Sequence, residues 1–293
     1  MNSPAVRAVL ALITFLSLSA AVVPQQKRTA EPNRTPPLVR TTSKHDLLRL
    51  PYGSTLTVVG PPDGSIIIEG WPRSEVDISA EIQLRADTEA DLNMLALVNT
   101  FVIDQDADHV RVLSTGTHDK AFMRSVAKKF PKTLLGLPWR IDYRIRVPLA
   151  TDLEINAGRG PITISGVEGN IRVSAAESVA NLTVTGGTLS ATIGAGKVNL
   201  QIPVKSWRGV GAEVRLVTGE LTVGLSPGFS GDINADVLRL GRIEDTYGAL
   251  QPRQTRGANG PNQIRASVGA GGPFFQFTVG DGTIVIKKAN SSQ

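Results

Sequence analysis

The 293-residue chain is 41% hydrophobic but only 5% aromatic, with 29 glycines and no cysteine. That composition excludes a disulfide framework, a thiol nucleophile, a cysteine-ligated metal and a bacterial lipid anchor, and it leaves a core of small branched side chains. The formal net charge of +5 includes Arg7, Lys27 and Arg28 near the N-terminus, so the rest is only mildly basic and gives no ground for nucleic-acid binding.

Residues 1–23, with Arg7 ahead of an apolar run from Ala8 to Val23, predict a secretory signal peptide cleaved after Ala21 or a few residues later. The competing reading is an uncleaved anchor, for which the run is shorter than the ~20 residues of a spanning helix. Export would put the protein in the periplasm, the outer envelope or on the cell surface. Residues 24–46 are rich in Pro, Thr and Arg without an apolar period and read as a flexible tether, so folded sequence is expected from Leu47 to about residue 289, with a tail at 290–293.

Alternation then dominates. Leu56 with Val58, Ile66 with Ile68, and Val76 with Ile78 recur at ten-residue steps, separated by turn chemistry in PPDG and GWPRSE. TEADLNMLALVN, residues 88–99, reads as a short helix capped by Thr88, with Glu89 and Asp91 in its first turn. Strand pairs return at Phe101 with Ile103 and Val110 with Val112.

Residues 119–138 form a basic insert. Lys120, Arg124 and Lys128 recur every four residues, Lys129 and Lys132 follow, and Phe122, Met123, Val126 and Phe130 fall on another side. Such a helix either packs its apolar side on a β-core or lies on an anionic surface, which makes Lys120, Arg124, Lys128, Lys129 and Lys132 candidate contact residues.

After IDYRIRVP the longest array begins: Leu153 with Ile155, Ile162 with Ile164, Ile171 with Val173, Leu182 with Val184, Leu189 with Ala191 and Ile193, and Val198 with Leu200. Steps of seven to eleven residues with glycines at the breaks predict strands of about four residues followed by corners. The register slips at PVKSWRGVGA, residues 203–212, and a second flexible stretch is expected at 251–263. The closing strands carry Phe274, Phe275 and Phe277, expected to cap an end of the stack. Two all-β architectures fit this spacing, a solenoid of ~20-residue coils and an antiparallel meander or sandwich.

Little in the chain suggests chemistry. His45, His109 and His118 lie apart without partners at ligand spacing, GAGKV lacks the glycine and hydroxyl of a phosphate loop, and no G-x-S-x-G elbow occurs. Glu75 with Asp77 and Asp152 with Glu154 sit outward at i, i+2, the placement a carbohydrate-cleaving β-helix would use and also the ordinary polar face of a strand. Thr163, Arg172, Thr183, Ser190, Asn199 and Glu220 point outward as well, on what is read as one flat face.

GSIIIEGWPRSEVDISAE, IDYRIRVPLATDLEINAGRGPITISGVEGNIRVSA and GDGTIVIKK together resemble the "putative adhesin" family of bacterial exported proteins. The resemblance implies a short right-handed β-solenoid and supplies no catalytic residue. The chain departs from the family pattern at SAAESVAN, residues 174–181, where a glycine corner is expected. The sequence therefore predicts a non-enzymatic envelope protein of adhesion or scaffold type, without a cofactor, whose partner is an envelope polysaccharide, an anionic lipid or another envelope protein. The alternatives are a small carbohydrate-active β-helix and a membrane contact through the 120–132 helix.

Overall fold

The computed structural model describes residues 37–126, 130–253 and 260–289. The leader expected at 1–23, the tail at 290–293 and residues 254–259 of the loop expected at 251–263 lie outside them. In chain order the strands are β1 (Leu38–Arg49), β2 (Thr55–Val59), β3 (Ile66–Trp71), β4 (Glu75–Ala86), β5 (Thr100–Gln105), β6 (His109–Thr115), β7 (Trp139–Pro148), β8 (Asp152–Arg159) and β9 (Ile162–Ser165). They continue as β10 (Gly169–Thr183), β11 (Gly186–Ile202), β12 (Arg208–Leu225), β13 (Gly231–Val237), β14 (Gly241–Asp245), β15 (Gln251–Pro252), β16 (Gln263–Val268) and β17 (Phe274–Lys288). Helix α1 (Glu89–Ala96) separates β4 from β5, and α2 (Lys120–Val126) with the 3-10 turn Lys132–Leu134 separates β6 from β7.

The strands join into one large mixed sheet. Its centre is parallel, and the register shows why the sequence repeats: Leu153 pairs with Ile171 and Ile171 with Leu189, each 18 residues on. Side chains one such step apart lie side by side, so apolar residues form columns, such as Leu56, Leu153, Ile171, Leu189, Ala212, Phe275 and Ile233. A second column holds Ile66, Ile162, Ala180, Val198, Leu221 and Ile284. All of these are buried in one hydrophobic cluster. Each fully buried Leu or Ile is worth about 2 kcal/mol of transfer free energy, and the columns multiply that term mainly through aliphatic side chains.

The long strands β10, β11, β12 and β17 each run through two ladders. Their first halves belong to the row β5–β6–β2–β8–β10–β11–β12–β17–β13–β16–β15. Their second halves belong to the row β1–β4–β7–β3–β9–β10–β11–β12–β17–β14. Between the halves lies a glycine column in which Gly160, Gly196, Gly219, Gly282 and Gly241 all have φ between 125° and 142°. A Cβ at Gly219 would sit 1.9 Å from the carbonyl oxygen of Gly196, so neither the backbone angle nor the space admits another residue. Expected strands of four residues thus become strands of 15 to 18 residues that turn a corner without leaving the ladder.

Three expectations are corrected and a fourth is located. Strand order is not chain order, since β2 and β3 lie between β6–β7 and β8–β9, and β17 lies between β12 and the β13–β14 pair. Hence Phe274, Phe275 and Phe277 do not cap an end. Phe275 and Phe277 are buried, Phe275 packing edge-on against Trp207 and Phe229 at 5.4 and 5.2 Å, while Phe274 faces outward, 47% exposed. The fold begins at Leu38 and not near Leu47, because residues 38–49 pair with β4 along their whole length while exposing both faces, which hides their alternation. SAAESVAN stays in the ladder, with Ser178 taking the place of a corner glycine. The slip at 203–212 is present as a β-bulge, in which Gly187 pairs with Gly209 and Thr188 with Gly211, leaving Val210 extruded and 73% exposed.

Candidate binding surface

Alternation turns every second residue of each strand to the outer surface, and the parallel register lines these residues up in levels. On the first ladder, Thr57, Glu154, Arg172, Ser190, Glu213 and Gln276 lie at one level. Thr55, Asp152, Asn170, Thr188, Gly211 and Phe274 lie at the next. Small residues at Thr188, Ser190 and Gly211 between longer neighbours hollow this surface into two open depressions of about 280 and 560 Å³. Thr188 and Ser190 line both, so the two adjoin along β11 and together, as a trough, reach from β2 to β17.

The trough holds Asp152 and Glu154, which the sequence singled out. Asp152 accepts hydrogen bonds from the backbone N–H of Asn170 at 2.7 Å and from its Nδ2 at 3.0 Å. Glu154 accepts from Thr57 Oγ1 at 3.3 Å and pairs with Arg172 at 3.4 Å. Both carboxylates therefore brace neighbouring strands.

Asp77 lies on the outward face beside Glu75, as the sequence predicts, but it is covered there. Its side chain is only 8% exposed, enclosed by His45, whose Nε2 is 2.8 Å away, and by the guanidinium of Arg146. Burial pushes its carboxyl upward, yet the hydrogen bonds from His45 and Arg146 outweigh this and hold it below the ordinary carboxylate range. Arg146 also stacks on Trp71 at 4.7 Å, with Arg73 on the same ring at 4.9 Å. Nothing in GWPRSE beyond turn residues announced this cluster. Glu75 keeps a partly exposed side chain and lends its carbonyl to Trp71 Nε1 at 2.7 Å.

Beside it the second ladder carries a further open groove of about 390 Å³, lined by Lys44, His45, Ser65, Ser79, Glu81, Asp142 and Arg144 among others. The six outward residues read as one face are divided: Arg172 and Ser190 lie on the first ladder, and Thr163, Thr183, Asn199 and Glu220 on the second. Periodicity gives inward or outward but not which side of a corner a residue follows.

Of the basic candidates, Lys120 and Arg124 are exposed on α2 and Lys132 is exposed in the 3-10 turn, while Lys128 and Lys129 lie outside the described residues. On the apolar side Met123 is buried and Phe130 packs against the core. His109 donates to or accepts from Thr57 Oγ1 at 2.8 Å, and His118 sits in a turn against Trp139, ring centroids 5.3 Å apart. Among the described residues no group of three or more His, Asp or Glu side chains is placed to hold a metal ion, and no helix is long and apolar enough to cross a membrane.

No family model and no curated protein matches the sequence. Solved structures similar to the chain include a "putative cell adhesion protein" from Clostridium sporogenes, with 14% identity, 84% of this chain and 100% of that chain covered, and a TM-score of 0.43. A "putative adhesin" from Bacteroides fragilis has 11% identity over 84% and 97% of the two chains with a TM-score of 0.31. A "putative adhesin" from Parabacteroides merdae has 11% identity over 84% and 96% with a TM-score of 0.25. All three carry an adhesion name, as does the family that the sequence resembles.

Proposed function

We propose that the chain is an exported, non-enzymatic binding module of the bacterial envelope, of adhesion or scaffold type, built as a right-handed β-solenoid whose trough holds an extended polysaccharide. The observation that supports this reading is the continuity of the trough. It crosses six strands from β2 to β17, roughly 24 Å at ~4.8 Å per strand, and every strand presents a hydrogen-bonding group at the same level. An extended polymer gains affinity from many such modest contacts. Three carboxylates, Asp152, Glu154 and Glu213, stand against two guanidinium groups, Arg172 and Arg215. That near-balance suits a neutral or weakly charged chain better than a strongly anionic one, and Phe274 offers one apolar face for a sugar ring.

Affinity electrophoresis against neutral and anionic envelope polysaccharides tests the reading. At least one polymer should retard the protein, and Phe274→Ala should weaken that binding about fivefold to tenfold. Failure to bind any polymer would overturn it. Release of reducing ends or unsaturated products would replace it with a carbohydrate-active role for Asp152 and Glu154. Salt-sensitive binding to anionic vesicles, lost on replacing Lys120 and Arg124 by glutamine, would move the contact to α2.

A further inference from the structure

Strand β1 is an edge of 12 residues that pairs with β4 alone among the described strands, in an unbroken antiparallel register. Natural sheets blunt such edges by shortness, proline, bulges, charged side chains or cover from a helix or loop. LVRTTSKHDLLR has no proline or bulge. Its one lysine, Lys44, is exposed but tied to β5, with Nζ donating to Thr100 Oγ1 at 2.7 Å and lying 5.2 Å from the Phe101 ring centroid. Leu38, Val39 and Leu47 meanwhile remain 40%, 53% and 51% exposed.

The backbone shows which groups are free. The N–H of Leu50 donates to the carbonyl of Ser74 at 3.0 Å, continuing the register in which Arg49 faces Glu75. Hydrogen-bonded pairs alternate in an antiparallel ladder, so even-numbered residues of β1 bond to β4 and odd-numbered ones point outward. Arg49 agrees, since its carbonyl accepts from Gln105 Nε2 at 2.9 Å instead of from β4. The N–H and C=O of Val39, Thr41, Ser43, His45 and Leu47 then face the open side.

We propose that β1 joins two copies of this chain edge to edge, as a two-fold antiparallel pair centred on Ser43. In that register residue i faces residue 86 − i of the second copy. Val39 meets Leu47, Leu38 meets Leu48, and Arg40, which within its own chain also bonds to Glu89 and to Asn93 Oδ1 at 2.8 Å, meets Asp46, a carboxylate with no ion pair among the described residues. The five outward residues of each copy exchange about ten backbone hydrogen bonds. Slipping by two residues either way sets Arg40 against Lys44 or Lys44 against itself, so charge selects the register. The second ladder then continues across the axis into its copy.

The absence of cysteine makes this directly measurable. Opposed Cα atoms of a hydrogen-bonded pair lie ~5.5 Å apart, within disulfide range. Ser43→Cys should therefore give a disulfide-linked dimer under mild oxidation much faster than Glu220→Cys, an exposed control on the same ladder. Sedimentation of the natively produced chain should show a dimer, and Leu47→Lys should shift it to monomer by at least a tenfold change in dissociation constant. A monomer at every concentration, or a dimer in which Ser43→Cys crosslinks no faster than the control, overturns the proposal.

Discussion

Ser178 and its neighbours along the corner show how single residues set this fold. Gly160, Gly196, Gly219, Gly282 and Gly241 occupy one column because each backbone turns at positive φ under the carbonyl of the strand beside it. Gly219→Ala should cost about 3 kcal/mol in urea unfolding, the sum of backbone strain and a forced shift of the neighbouring carbonyl. Ser178 takes the same column without being glycine, and its buried hydroxyl has no hydrogen-bond partner. Ser178→Ala should therefore stabilise the protein by about 1 kcal/mol in the same assay. Asp77 contributes to the pH dependence, as do Asp142 and Asp236, where burial is likewise outweighed by hydrogen bonds that hold their carboxyls below the ordinary range. Because the folded carboxyl of Asp77 lies below the ordinary range, it stabilises the protein above about pH 4 and loses that contribution as pH falls through the folded value. Asp77→Asn should lower stability by about 1 kcal/mol near neutrality and flatten the acid limb of a stability-against-pH curve. Of the glycine column, Gly160 was legible as a break in the repeat. Asp77 was not, because alternation marks it outward and only the folded chain brings His45 and Arg146 over it.

At the scale of elements, legibility follows burial. Strands with one buried face, such as β2, β3 and β8, announced themselves by alternation, and α1 by its cap and acidic first turn. Thr88 accepts from the backbone N–H of Asp91 at 3.1 Å, and the helix buries Leu92 and Leu95. Thr88→Ala should release that donor, cost about 1 kcal/mol and speed amide hydrogen exchange across α1. β1 escaped detection because both of its faces meet solvent, and only its pairing with β4 makes it a strand. The bulge at Val210 was legible as a lost step, though not as a single extruded residue. Its exposure places the irregularity at the rim of the trough, between Thr188 and Phe274.

For the whole molecule, the columns make stability and surface two results of one register: the pairing that stacks Ile on Leu inside stacks Ser, Thr and Asn outside. The sequence carries the all-β class and the outward positions, whereas the interleaved strand order and the division of outward residues between two ladders depend on pairings between segments far apart in the chain. No local pattern encodes those. The trough, which combines Asp152, Arg172, Ser190 and Phe274 from four strands, is for that reason invisible until the chain is folded. The most direct measurement compares polysaccharide binding by two triple-alanine variants, one in the trough (Arg172, Ser190 and Phe274) and one on the second ladder (Thr163, Thr183 and Asn199). The account predicts at least a tenfold loss for the first and unchanged binding for the second; equal effects, or loss confined to the second, would contradict it.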